Sequence, residues 1–490
     1  VAETTSRTFC GFAILFLFLM AAPVTLPVFG THDWQRIFEC VIAAFLLLVL
    51  LTHPKGFSFS TIARQLTPAI GVLLLILATA SVIRARQSMW ALVELALVVA
   101  CIGASVTIAT QRRTRGVGLD KLLFILAASI CALKCIQFGA ASLAAFVSGY
   151  PTLDIDFLLD GFSNKRFYGQ FQTFTLPLLV LPLLSPAPIQ GRKTWALVLL
   201  CCWWMIAISS GTRGTWLGMA GAVAVICLCG PHGRRWIGWQ ALAAVLGLTL
   251  YWCLFSVLPG YLGIEVTNFA GDRLSTSLSA RDIIWHQAWE MIKQRPLLGY
   301  GPMHFADIPN SVAAHPHQAI LQWASEWGIP SALLVGWLVL RGLWATLLLI
   351  RKKSISSEPV DLLRLCLFAS LIGALTQSMV DGVIVMPYSQ LWLAIVAGWL
   401  LGVHEYRDEP QLISRKLYGA WLALLITAVG YLGYVVIRDS PHLEQRQQAF
   451  IKEYGGRFQP RFWMQGVIAK SAHSLLEPTN AASFSEERPK

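Results

Sequence analysis

The chain has 490 residues and a net charge of +12, with 56% hydrophobic and only 13% charged residues and a mean hydropathy of +0.60. Soluble chains carry about 25% charged residues, so a string of soluble domains is excluded, and runs of about 18 or more apolar residues read as membrane-spanning helices. The basic residues gather in short loops between those runs, a pattern of membrane topology and anionic lipid rather than nucleic-acid binding.

The first apolar run, 8–28, follows Arg7 and is broken near its end by Pro23 and Pro27. It exceeds the roughly 7–15 residues of a signal-peptide core and is expected to be an uncleaved first span. Further runs cover 34–52, 66–83, 88–110, 120–148, 166–185, 194–210, 214–230 and 235–257. After a long polar interruption come 330–350, 360–381, 385–403 and 417–437. The expectation is an all-α polytopic membrane protein of about 12–13 spans. It divides into an N-terminal bundle (1–257), a catalytic loop (258–329), C-terminal spans (330–437) and a tail (438–490). Phe450, Ile451, Phe458, Phe462 and Trp463 make the tail amphipathic in places, so it is expected along the membrane surface, with 480–490 disordered.

Lys and Arg in short loops set the orientation. With the N-terminus inside, the even-numbered loops hold Lys55, Arg64, Arg112, Arg113, Arg115, Lys121, Arg192, Lys193, Arg234, Arg235, Arg351, Lys352, Lys353, Arg364, Arg407, Arg415 and Lys416. The opposite short loops hold only Arg84, Arg86, Lys165, Arg166 and Arg213. The long loop, and the tail if the last run spans, therefore fall outside. Trp203, Trp204, Trp216, Trp236 and Trp239 sit near helix ends, as an interfacial aromatic belt would. The 11 cysteines lie in or beside apolar runs; Cys131 and Cys135, four apart, read as packing residues rather than metal ligands.

In the long loop, Ser279 and Asp282 resemble a capping box for a helix over 280–292. Arg281 falls in its first turn, against the helix dipole, at a cost of about 0.3–1 kcal/mol. A bound anion would relieve that cost, since free amides and a guanidinium fork make a phosphate site; the alternative is an exposed Arg paired with Asp282 or Asp272. Gly299 and Gly301 form either an anion nest or a plain helix stop after Arg295-Pro296. His315-Pro316-His317 opens a second helix that Gly328 and Pro330 close, with Gln318, Gln322 and Ser325/Glu326 as a polar stripe expected to face a cavity. His317 heads that stripe and is a candidate general base, or else a surface loop histidine. Arg213, between two apolar runs on the outer side, is either functional or snorkels to headgroups. In 151–166, Asp154 and Asp156 supply too few oxygens for a hard cation. No P-loop, GxGxxG in a strand–helix setting, HExxH or GxSxG occurs, so no nucleotide-driven pump is indicated.

Three segments together resemble the O-antigen ligase/polymerase superfamily of bacterial inner-membrane glycosyltransferases. Ser210-Gly211-Thr212-Arg213-Gly214-Thr215-Trp216-Leu217 is similar to the family's S-x-x-R-G-x-W-L. Arg281 to Trp285, then Pro296 to Phe305, looks like R-x-x-x-W and P-x-x-G-x-G-x-x-x-F. His317-Gln318-Ala319-Ile320-Leu321-Gln322 with Glu326-Trp327-Gly328-Ile329 resembles H-N-x-x-L-Q-x-x-x-E-x-G-I, with Gln318 where Asn is usual and Pro330-Ser331 where Gly is common.

The resemblance implies transfer of a glycan from undecaprenyl pyrophosphate to an acceptor at the periplasmic face of the inner membrane. In the ligase branch the acceptor is an outer-core sugar of lipid A–core, which completes lipopolysaccharide. It also implies a single inverting displacement without cofactor or metal, with Arg213 and Arg281 on the pyrophosphate and His317 as base. His315, Arg295, Gln318 and Gln322 are lesser candidates. The partners are the lipid-linked O-antigen, lipid A–core and membrane lipids, with no nucleotide or nucleic acid. The polymerase typically has two comparable long outer loops, and 151–166 is short, which favours a ligase. The protein O-glycosyl ligase often has a longer C-terminal outer region. A transporter would be expected to show inverted repeats, and none is visible.

Overall fold

Apolar runs without charge must satisfy their own backbone groups, and a helix does so within one segment. The computed structural model describes residues 2–26, 30–52, 58–59, 66–186, 190–268, 280–404, 411–412, 415–455 and 458–469. Its first half contains α1 (Ala2–Thr25), α2 (Thr31–Thr52), α3 (Leu66–Arg84), α4 (Ser88–Arg115), α5 (Val117–Val147), α6 (Lys165–Leu179), α7 (Leu181–Leu184), α8 (Gln190–Ser209), α9 (Arg213–Ile226), α10 (Gly230–Trp252) and α11 (Leu258–Leu262). There follow α12 (Arg281–Gln294), α13 (Ala319–Trp327), α14 (Ile329–Lys352), α15 (Pro359–Gln377), α16 (Pro387–Val403), α17 (Arg415–Asp439) and α18 (Leu443–Tyr454).

Among the described residues nine helical stretches are long and apolar enough to cross a membrane, and three shorter apolar helices accompany them. One of the nine, Arg213–Leu262, contains both α9 and α10. The chain turns between these two at Gly230, whose φ of +77 suits glycine. Each predicted run is thus a helix, and the protein is an all-α polytopic membrane protein.

The connections sort into two sets that touch only within themselves in the contacts seen here. At one end Ser58–Phe59 (β1) pairs antiparallel with Gln411–Leu412 (β4), and His232, at the start of α10, meets Ser357. At the other end Thr152–Asp154 (β2) pairs parallel with Glu265–Thr267 (β3). The start of α13 docks there on the α15–α16 connection, the Ala319 amide donating to the Ser378 carbonyl at 2.9 Å. The second set is the one that the distribution of Lys and Arg assigns to the outside.

Two expectations are corrected. Trp203 and Trp236 are fully buried rather than interfacial; their indole N–H groups donate to Thr175 Oγ1 (2.9 Å) and the Pro177 carbonyl (3.2 Å). Trp204 is likewise buried, donating to Gln240 Oε1 at 2.7 Å. Pro177 lies inside α6, and the neighbouring Leu176 carbonyl accepts from Gln240 Nε2 at 2.9 Å. The tail does not simply lie on the membrane surface. After α18, residues 458–469 run back into the protein, burying Gln459, Arg461, Phe462, Trp463, Gln465, Val467, Ile468 and Ala469. This strap lies at the same end as the connection before α13, because the Ile468 amide donates to the Ala306 carbonyl (3.0 Å) and Gln459 Nε2 to the Asn310 carbonyl (2.7 Å). The reading of 480–490 and of Ser279 and Asp272 lies outside the described residues.

Candidate functional site

α12 begins at Arg281 behind Ala280, which takes a left-handed φ of 58 and gives no side-chain cap. The helix opens with no side-chain cap at Ala280 and with a half-buried guanidinium in its first turn. Arg213 likewise occupies the first position of α9, with Thr212 as its N-cap. Arg166 stands at the second position of α6, where Asn164 Oδ1 accepts from its amide at 2.8 Å. Three helix N-termini therefore each carry an arginine. Arg281 lies within electrostatic reach of both others and of Asp381; burial first, then these like charges, pulls its pKa below the ordinary value.

His317 sits on the connection before α13 with a left-handed φ of 52, unusual for a non-glycine residue. Gln318 caps α13, its Oε1 accepting from the Leu321 amide, so His317 immediately precedes a fixed helix start. Its ring meets that of His315 edge-on, with centroids 4.1 Å apart. Asp381 Oδ1 lies 3.9 Å from His317 Nδ1. Burial, with Arg166 and Arg281 nearby, lowers the His317 pKa to about 3. The imidazole is therefore neutral and able to accept a proton. Burial raises the Asp381 pKa, against the Gly382 amide, Arg166 and the neighbouring Gln170 and Gln377 amides.

Two buried polar atoms here have no hydrogen-bond partner: Arg281 Nε and His317 Nδ1. Buried polar groups are normally satisfied, and these two stand beside the arginine cluster. Cations on helix N-termini suit a polyanion, and a neutral imidazole beside them suits a hydroxyl. Among the described residues no group of three or more His, Cys, Asp or Glu side chains is placed to hold a metal ion.

The structure brings Arg213, Arg281 and His317 together, with His315 buried behind His317 and donating nothing to it; His315 Nδ1 accepts from the His317 amide at 3.4 Å. The other candidates go elsewhere. Arg295 is exposed and stacks on Tyr300 at 4.6 Å from its centroid. Gln318 is spent as a cap. Gln322 and Glu326 face the strap rather than a cavity, because Arg461 Nη2 donates to Glu326 Oε2 at 2.6 Å. The Tyr300 and Gly301 amides, next to the suspected nest, donate to the Ser325 and Glu326 carbonyls at 2.9 and 3.0 Å. That segment therefore binds α13, not an anion. Asp154 and Asp156 engage Asn268 and Lys165, as a structural loop would.

Sequence reasoning passed over Arg166 and Asp381. Arg166 carried the same signal as Arg213, a basic residue on the side poor in them. Asp381 ends an apolar run one helical turn after Gln377, and an acid at a membrane edge is a functional candidate by default.

The fold and site define a polytopic membrane protein with an arginine cluster beside a buried histidine at the end where α13 begins. Residues 196–336 match the family described as O-Antigen ligase. The matched span contains Arg213, Arg281, His315 and His317 and leaves out Arg166, Asp381 and Arg461. It supports kinship with the O-antigen ligase/polymerase superfamily of membrane glycosyltransferase-like enzymes. No curated protein matches the chain.

Proposed function

We propose that this protein is an O-antigen ligase. It transfers O-antigen glycan from undecaprenyl pyrophosphate to an outer-core sugar of lipid A–core at the periplasmic face of the inner membrane. The observation that carries the reading is the convergence of Arg166, Arg213 and Arg281 around His317 and Asp381 at the outer end.

In this reading the arginines hold the pyrophosphate and stabilise the charge that grows on it as it leaves. The acceptor hydroxyl oxygen attacks the anomeric carbon, and its proton passes to His317. The new C–O bond forms as the anomeric C–O bond to phosphate breaks, and undecaprenyl pyrophosphate departs with the electron pair. One displacement inverts the anomeric configuration. Asp381 lies 3.9 Å from His317 Nδ1, so its charge stabilises the imidazolium that results.

The test is reconstitution in nanodiscs with polyprenyl-pyrophosphate-linked glycan and lipid A–core, without nucleotide. Glycosylated lipid A–core is expected from the native protein, and from His317→Ala at a rate lower by about 10²–10⁴. Absence of product, together with passage of labelled donor across a vesicle bilayer, would establish a transporter instead.

A further inference from the structure

The buried strap contains one charged side chain, and that side chain reaches the helix that carries the site. Arg461 is fully buried. Its Nη2 donates to Glu326 Oε2 at 2.6 Å and to Glu94 Oε1 at 3.4 Å. With the Gln322 amide in the orientation that satisfies both groups, its oxygen accepts from Nη2 and Nη1 at 3.1 and 3.2 Å. Glu326 is also fully buried, and its other oxygen accepts from the Phe305 amide at 3.0 Å. One guanidinium thus ties two consecutive turns of α13 to α4 and, through Glu326, to the loop that precedes α13.

The strap backbone is held as firmly. Arg36 donates to the carbonyls of Phe462 (3.1 Å) and Arg461 (3.0 Å), and Asp33 Oδ1 accepts from the Met464 amide at 2.6 Å. A buried ion pair is costly to desolvate and gives little net stability compared with an apolar substitute. Its better-attested use is to fix one arrangement among several, and here the arrangement fixed is that of α13, which begins two residues after His317.

We propose that Arg461 is a positioning residue for the transfer site: the strap clamps α13 through Gln322 and Glu326 and so fixes where the His317 imidazole stands. The inference rests on His317 acting as base. A lysine at 461 keeps the charge but cannot serve Glu326, Glu94 and Gln322 together, because it lacks the planar fork.

The experiment compares native protein, Arg461→Lys, Arg461→Met and His317→Ala in nanodiscs. It reads kcat, donor KM, the pH profile of kcat, and amide exchange over 299–327. Misplacing a reacting group by about 1 Å costs about a hundredfold. Arg461→Met is therefore expected to lose about that factor in kcat with donor KM within about threefold of native, and Arg461→Lys to lie between. Arg461 is not among the charges that act on His317, so the acid limb of kcat is expected to stay in place while kcat falls, as a misplaced rather than retuned base requires. Exchange protection falls over 299–327 and is unchanged in α8 and α10. Native-like kcat in folded Arg461→Met overturns the proposal, as does a parallel loss of kcat, KM and protection throughout the chain. Should Arg461→Met not fold, the Lys variant decides by the same measurements. If native protein transfers nothing, the assigned function fails, and exchange alone then decides whether Arg461 holds α13: unchanged protection over 299–327 overturns it.

Discussion

His317 Nδ1 and Asp381 Oδ1 stand 3.9 Å apart, although they come from connections on either side of α14 and α15. At that distance the two do not hydrogen-bond, and Asp381 acts on His317 through its charge, which favours the imidazolium that forms when the ring takes a proton. Asp381→Asn is isosteric but removes the negative charge that favours the imidazolium. General-base catalysis contributes about 10²–10⁴ in rate. Both Asp381→Asn and His317→Ala are expected to lose activity within that range, with donor binding nearly retained. Because the pair acts as a unit, the double variant should be no slower than the worse single one. Additive losses in transfer assays would separate the two residues.

Ligand binding should be linked to protons. In the free protein the His317 pKa is about 3, lowered by burial and by Arg166 and Arg281. A bound diphosphate offsets both cations, so the pKa rises on binding and affinity strengthens as pH falls. A doubly substituted diphosphate carries no titrating proton near neutrality, so its dissociation constant from pH 5 to 8 reads this linkage directly. The trend should disappear in His317→Gln. The same depressed pKa affects stability: the unfolded chain binds a proton near pH 6.5 and the folded one near 3, so stability is lost as pH falls between those values. His317→Gln should flatten the acid side of the melting-temperature profile.

The helices were legible because a bilayer demands apolar runs and the chain obeys throughout. The grouping of the connections into two ends was legible, because Lys and Arg crowd one set of loops. Arg213, Arg281 and His317 were visible as polar residues at odds with their surroundings. The clamp was not, because Arg461 and Glu326 lie 135 residues apart and neither carries a local pattern that names the other. The same blindness affected Trp203 and Trp236. A tryptophan near a helix end reads as interfacial until packing of α6 against α8 and α10 encloses it.

Substitution of the arginines should act on donor affinity. A hydrogen bond to a charged group contributes about 1.5–3 kcal/mol, so Arg281→Ala should weaken diphosphate binding by about that amount. Arg281→Lys should recover part of it, since the charge remains but the fork is lost. Arg166→Ala and Arg213→Ala should raise donor KM in the same sense, and affinity of the native protein should fall with salt. Complete recovery by Arg281→Lys in a binding titration would argue against a bidentate phosphate contact.

Gly382 offers a test of the site's tolerance that leaves every charge in place. A Cβ there would lie 2.5 Å from His315 Cε1 and 3.0 Å from its Nε2. The His315 ring is fully buried, so it cannot swing into solvent to make room. It would be driven towards His317, whose ring it meets at 4.1 Å and whose amide it accepts. The Gly382 backbone does not require glycine for its φ, so the effect of Gly382→Ala is steric rather than conformational. Transfer should fall by about a hundredfold with little change in diphosphate affinity. Gly238→Ala, which meets nothing within 4 Å on α10, is the control and should stay within about 0.5 kcal/mol of native stability. If Gly382→Ala transfers as fast as that control, the imidazole pair is not held as tightly as its contacts require.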